Sequence, residues 1–297
     1  MLKALFRWSV ALALVGAAVF WWVTRPNTLD ANALAGLEPD VAAGEQIFYA
    51  GGCASCHAAE KAEGEAKLVL SGGRAFPSPF GTFRAPNISS DPEYGIGNWS
   101  AMDLANAMKR GVSPEGQHYF PAFPYTSYTK AKLGDIVSLR AYLATLPASS
   151  TPSKPHDVGF PFNIRRSLGG WKMLFLKEDW TVTGDLTAQE QRGRYLVEAL
   201  GHCGECHTAR NPLGGLTLSK WLGGAPNPDG RGKVPNITLG KLDWSHADIA
   251  EYLSSGFTPE FDTAGAQMAD VVENTSHLPP EDRAAIAVYL KVVTAVN

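Results

Sequence analysis

The 297-residue sequence is poor in cysteine: its four cysteines all lie in two pentapeptides, Cys53-Ala-Ser-Cys56-His57 and Cys203-Gly-Glu-Cys206-His207. None is left over for a structural disulfide framework. A clustered excess of positive charge is also missing. Lys3, Arg7 and Arg25 sit in or beside the apolar N-terminus, and from Pro26 onward 23 basic residues face 29 acidic ones. A nucleic-acid binder needs a concentrated basic face to neutralise phosphates, so that class of partner is excluded. A mildly acidic surface suits a protein partner with a basic patch. Compositional bias is absent as well: with 45% hydrophobic and 19% charged residues the chain is neither disordered nor fibrous. Its length suits about two domains.

The first 26 residues, MLKALFRWSVALALVGAAVFWWVTRP, place an apolar run from Trp8 to Val23 after a basic start. A cleaved secretory signal has a similar outline. Here no small-x-small site follows the run, which ends in Phe20, Trp21 and Trp22, aromatic residues of the kind that sit at a membrane interface. Arg7 can snorkel and so lengthen the apolar stretch towards Ala4. Residues 1–25 are therefore expected to be an uncleaved anchor in the inner membrane. The basic N-terminus stays cytoplasmic and the remainder is exported to the periplasmic side.

The rest of the chain repeats itself. The two pentapeptides lie 150 residues apart, Gly72-Gly73 and Gly223-Gly224 lie 151 apart, and Pro86-Asn87-Ile88 and Pro235-Asn236-Ile237 lie 149 apart. Trp99 and Trp244 are separated by 145, as are Gly111-Val112-Ser113-Pro114-Glu115 and Gly256-Phe257-Thr258-Pro259-Glu260. Offsets that drift while the order holds indicate a duplicated unit with small loop insertions. Apolar spacing predicts helices over 41–50, 100–109, 133–146, 189–200, 245–254 and 280–293, with Ser100 and Ser245 as N-caps. The Gly- and Pro-rich stretch 71–97 is long for a compact domain unless it wraps something. Residues 147–184 fit neither repeat. They read as a linker followed by an aromatic, apolar segment able to pack across a domain interface. His156 within them reads as a surface linker residue.

A Cys-x-x-Cys-His pentapeptide is the attachment signature of c-type haem: the thiols add to the porphyrin vinyl groups and the histidine reaches the iron. Zinc would need further donors in each half, and no cysteine remains. A thioredoxin-like dithiol needs a βαβ context that this helical pattern lacks. Two covalently bound haem c groups are therefore expected, with Cys53, Cys56 and His57 holding one and Cys203, Cys206 and His207 the other.

These motifs, with Pro-Asn-Ile following each pentapeptide, resemble the small helical cytochrome c fold. The resemblance implies that the carbonyls of Pro86 and Pro235 receive the free N–H of His57 and His207. A longer resemblance rests on GGRAFPSPFGTFRAPNISSDPEYGIGNWS, PAFPY, FPFNIRRSLGGWKMLF, ALGHCGECHTARNPLGG and QMADVVENTSHLPPEDRAAIAVYL. Together they are similar to the cytochrome c subunit of bacterial membrane-bound alcohol, gluconate and aldehyde dehydrogenases. That implies an electron-donating dehydrogenase subunit as one partner and a downstream cytochrome, oxidase or quinone as the other. The family's subunit typically carries three haems, whereas this sequence has two motifs. The expected architecture is all-α: two tandem cytochrome c domains (36–146 and 185–297) with long haem-wrapping loops, the 147–184 segment between them, and an N-terminal membrane helix.

By the same resemblance Met268 occupies the loop that carries an axial methionine and would be the sixth ligand of the second iron. Met102, Met108 and Met173 read as packing residues. His202 reads as a surface or haem-edge residue, and His246 and His277 as solvated or capping ones. The 145-residue offset pairs Met268 with Phe123, which cannot donate to iron. His118, the one histidine of the first repeat besides His57, is then expected to close the first iron; the alternative is a solvated histidine beside an open or water-ligated iron. The leading function is electron transfer, as a dehydrogenase subunit or a shuttle tethered by its anchor. A two-haem enzyme, peroxidase-like or thiosulfate-oxidising, is the rival if the first iron is open.

Overall fold

Helix α1 (Leu2–Val23) is unbroken, buries none of its residues, and is long and apolar enough to cross a membrane. The computed structural model describes residues 1–227 and 232–297. After α1 the chain is laid along the first half, where the Leu29 amide donates to Asn106 Oδ1 and the Asp40 amide to Ser138 Oγ. These bonds give the stretch between α1 and the next helix a fixed path. Asp40 then caps α2 (Val41–Ala50) by accepting from the amides of Ala42 and Ala43. One residue pair later comes α3 (Cys53–His57).

Two short hairpins depart from the all-α expectation. In the first, β1 (Ala75–Ser78) pairs antiparallel with β2 (Gly81–Arg84), Ala75 opposite Arg84. Gly81 closes the turn at φ 127°, a backbone region that only glycine enters freely. The remaining elements of the first half are α4 (Ala101–Arg110), α5 (Tyr125–Tyr128) and α6 (Leu133–Leu143). Ser100 and Asp103 form a reciprocal capping box at the start of α4, and Gly111 at φ 59° ends it.

After α7 (Leu168–Phe175) the pattern recurs. Helix α8 (Ala188–Arg194) widens into a π-helical stretch over Tyr195–Leu200, and α9 (Gly204–His207) carries the second histidine. The second hairpin pairs β3 (Ala225–Pro226) with β4 (Lys233–Val234). Then follow α10 (His246–Ser255), with a Ser245/Asp248 capping box and Gly256 at φ 80°, α11 (Gln267–Ser276) and α12 (Pro280–Val292). Neither α7 nor α11 is expected from apolar spacing.

The two halves repeat one helix crossing. Helix α2 packs on α6, and α8 on α12. A Cβ on Gly44 would lie 2.1 Å from the Ser138 carbonyl oxygen, and one on Gly193 would lie 2.0 Å from that of Ala285. These glycines, 149 residues apart, let the helix before each pentapeptide touch the backbone of the last helix of its half. A single apolar cluster, including Phe48, Ile136, Leu139, Leu200, Leu222 and Tyr289, runs through both halves. Polar contacts cross between them too. The Thr126 hydroxyl donates to Glu205, Arg74 pairs with Asp270 at 2.9 Å, and Tyr49 stacks on His277 at 3.9 Å.

The 158–175 segment touches both halves and the end of α1. Phe83, Phe120 and Leu168 form a second small core. Trp171 donates to the Leu213 carbonyl in the second half. Lys172 reaches the other way: its ammonium donates to the carbonyls of Arg110 and Gly111, satisfying orphan acceptors at the end of α4. His156 is not a free surface residue. Its Nδ1 accepts from the Arg84 amide at 3.0 Å, and its ring meets Phe83 and Phe120 edge-on.

Candidate haem-binding sites

Each pentapeptide forms a single helical turn, so the first cysteine, second cysteine and histidine, at i, i+3 and i+4, share one face. The residue before each turn is left-handed: Gly52 at φ 58° and, at the equivalent place, His202 at φ 41°. Such a backbone is costly for a histidine and is held by the structure around it.

His57 Nδ1 lies 2.8 Å from the Pro86 carbonyl oxygen, and His207 Nδ1 lies 2.8 Å from that of Pro235. A carbonyl only accepts, so both Nδ1 atoms carry the proton and both Nε2 atoms keep a lone pair for a metal. Burial lowers the affinity of both imidazoles for a second proton, with the proline carbonyls opposing it. Burial also pushes the Cys53 and Cys203 thiols up to about 12 and the Cys56 thiol to about 11, and raises Cys206. Reactive dithiols and zinc ligands need the opposite shift. Two un-ionised thiols and a neutral imidazole with its Nε2 free are a donor set that fits covalently attached haem.

The proline loops are themselves held by groups that the motif spacing alone does not reveal. Asn87 is almost fully buried. Its amide donates to the carbonyls of Ser149 and Thr151, and its Oδ1 accepts from the Ser89 amide. Asn236 does the same work in the second half, donating to Val296 O and accepting from the Thr238 amide. The Gly72 amide donates to His57 O and the Gly224 amide to His207 O. A Cβ at Gly72 would come 2.4 Å from the Pro86 carbonyl carbon. The recurring Pro-Asn-Ile triplet was the available signal for the asparagines.

The two sites face each other. The imidazole of His202, next to Cys203, donates through Nε2 to Gly51 O at 3.3 Å, two residues before Cys53. The Tyr128 hydroxyl donates to the same oxygen at 3.4 Å, and its ring meets His202 edge-on at 5.6 Å. His202 is thus an inter-half contact rather than a surface group. His277 caps the end of α11 while stacking on Tyr49, and His246 opens α10.

Met268 is the second residue of α11 and is half-buried against the main core. Phe123 packs against the same core, its ring near those of Tyr119 and Tyr128. Met108 is buried, whereas Met173, expected to pack, is 58% exposed.

The expectation for His118 is corrected. Its ring is 3% exposed, its Nε2 donates to Thr24 O at 2.9 Å, and its Nδ1 accepts from the Lys172 ammonium at 3.0 Å. Both nitrogens are engaged, so neither is free for iron. The reason is local alternation. An antiparallel bridge between Val112 and His118 and the bond from the Tyr119 amide to Gly111 O hold this stretch extended. Adjacent side chains then point oppositely: Tyr119 turns to Phe123, and His118 turns to α7 and the end of α1.

Comparison with known proteins agrees with this chemistry. The cytochrome c family model matches residues 41–147. A dihaem c-type cytochrome of Cereibacter sphaeroides is 59% identical over 97% of this chain and 98% of its own length. The fructose dehydrogenase cytochrome subunit of Gluconobacter japonicus is 36% identical over 97% of this chain and 58% of its own. The cytochrome c subunit of a Gluconobacter oxydans quinone-dependent alcohol dehydrogenase is 30% identical over 97% and 60%. This chain belongs to the c-type cytochromes, and it is similar both to a dihaem member and to the cytochrome subunits of fructose and quinone-dependent alcohol dehydrogenases. It spans about three fifths of the length of those two dehydrogenase subunits.

Proposed function

We propose that the chain is a dihaem electron carrier that takes electrons from a periplasmic or membrane-bound dehydrogenase and delivers them to a respiratory cytochrome, oxidase or quinone. The observation that carries this reading is the pair of helical turns, each with two thiols and an imidazole whose Nδ1–H is fixed by a proline carbonyl, set against each other across one interface. Residues 36–146 and 185–297 are the two cytochrome c domains, joined by 147–184. When bound, each haem supplies a one-electron couple. The protein orients through Pro86 and Pro235 the imidazoles that would hold the two haems, the Met268 thioether would join at the second, and the shared core shields both sites. A thioether favours the ferrous state, so the second site has the higher potential. Residues 1–25 anchor the chain in the inner membrane with the haem domains on the periplasmic side. The burial of Thr24 within the fold supports an uncleaved segment.

The test is attachment and stoichiometry. The denatured wild type should exceed the mass of its polypeptide by two haems, and Cys53→Ala and Cys203→Ala should each disturb a different one. A mass equal to the bare polypeptide would sink the proposal.

One observation favours a second reading. Phe123 stands at the repeat position of Met268 and both His118 nitrogens are hydrogen-bonded, so neither residue would hold the iron of a haem bound at the first site, as suits a two-haem enzyme of the peroxidase-like or thiosulfate-oxidising kind. Carbon monoxide binding to the ferrous protein separates the two: rapid binding at one haem supports an open first iron, and resistance at both supports a pure carrier.

A further inference from the structure

The cytoplasm-distal end of α1 does not simply emerge from the domain but is built into it. Thr24 is 3% exposed, its carbonyl receives His118 Nε2, and its hydroxyl accepts from Arg166 Nε at 3.1 Å. The Arg166 guanidinium lies 4.1 Å from the centre of the Trp21 ring and also donates to Trp21 O. Gly169 packs so closely on Thr24 that a Cβ there would fall 2.3 Å from its carbonyl oxygen. The anchor therefore leaves the domain at one place and in one direction, which sets which face of the domain meets the bilayer.

That face is apolar. The turn over residues 159–164, closed by the Asn163 amide on Gly159 O and directly preceding Arg165 and Arg166, exposes Phe160 (81%), Phe162 and Ile164. On α7, Met173 follows Gly169 by one helical turn on the side that touches Thr24, and Met173 and Leu174 are 58% and 59% exposed. Among the described residues neither Arg165 nor Arg166 pairs with a carboxylate, and Arg25 lies over Trp22. Exposed aromatic and aliphatic side chains beside cations and interfacial tryptophans match the chemistry of a headgroup and acyl-chain boundary.

We infer that the 159–174 segment is a second membrane contact: Phe160, Phe162, Ile164, Met173 and Leu174 insert into the outer face of the bilayer around the point where α1 enters it, and hold the haem domains at a fixed tilt. The inference rests on α1 being a retained anchor. It is tested with the full haem-loaded chain in vesicles of phosphatidylethanolamine and phosphatidylglycerol. The photoreactive residue p-benzoylphenylalanine is placed singly at Phe160, Met173, Trp22 or the still more exposed Phe261, and lipid adducts are read by mass spectrometry. Adducts at 160 and 173 comparable to those at 22, with none at 261, are the expected result. Adducts at 22 without any at 160 and 173, or adducts there to a protein instead of lipid, overturn the inference while leaving the anchor intact. Absence of lipid adducts at 22 overturns the anchor itself, and the second contact with it.

Discussion

Replacing Gly44 with alanine sets two measurable effects against each other. In a helix interior alanine is favoured over glycine by about 1 kcal/mol. Against this, the new Cβ would sit 2.1 Å from Ser138 O, 2.6 Å from its carbonyl carbon and 2.9 Å from Tyr142 Cβ. Ordinary contact begins near 3.4 Å, so α2 must withdraw from α6 by about 1.3 Å. The obstructing atoms include backbone, which no rotamer change relieves. Overpacking of this kind costs about 1–3 kcal/mol, and backbone contacts place it at the upper end. A net loss of about 2 kcal/mol remains, which for two halves that share one core lowers the melting temperature by roughly 4–8 °C. Gly193→Ala faces the same geometry in the second half and should behave alike. Gly134→Ala, in α6 with nothing within 4 Å of its Cβ, isolates the propensity effect and should be neutral or stabilising. The assay is thermal unfolding of the oxidised, haem-loaded protein by circular dichroism, with the Soret band followed in parallel. A melting temperature for Gly44→Ala equal to or above that of the wild type would refute the close crossing.

Asn87→Ala removes three hydrogen bonds at a buried position and should destabilise the first half by about 2–4 kcal/mol, read by denaturant titration; a loss under about 0.5 kcal/mol would show that the Pro86 loop does not depend on it. Met268→Ala should lower the potential of one haem and remove its methionine-to-iron absorption, and an unchanged redox titration would reject the ligand. The His118 pocket should respond to pH. Burial, then the nearby Lys172 and Arg166 charges, hold its imidazole below the ordinary 6.5, with the bond to Thr24 O opposing them. The unfolded pocket binds the proton more readily than the folded one. Docking of α1 is therefore strongest with respect to His118 above about 6.5 and weakens as pH falls towards the lowered folded value. Lys172, pulled down to about 7 by burial, adds a separate rise in stability between about 7 and 10.5 and none below. Hydrogen exchange in peptides covering 21–25 and 165–172, corrected for intrinsic rates, should lose protection on acidification. Protection that is flat from about pH 7 to 5 would contradict the assignment.

What could be read from the sequence is what neighbouring residues settle among themselves. Two thiols and a histidine share a face because one helical turn brings i, i+3 and i+4 together. Ser100 and Ser245 cap helices because their partners Asp103 and Asp248 are three residues away. The repeat offsets reveal the duplication for the same reason, since each motif is short and self-contained. The direction of His118 was not legible. It depends on Thr24 and Lys172, which lie 94 and 54 residues away and claim both ring nitrogens. Nor were the roles of Asn87, which reaches the linker 62 residues on, or of Gly44, whose need for no side chain comes from Ser138. Local spacing determined where the two Cys-x-x-Cys-His turns lie and which side chains share their faces. The tertiary structure decided how those turns face each other, how α1 meets the domain and where each loop side chain points, because those outcomes depend on which distant group offers the better hydrogen bond or closer packing.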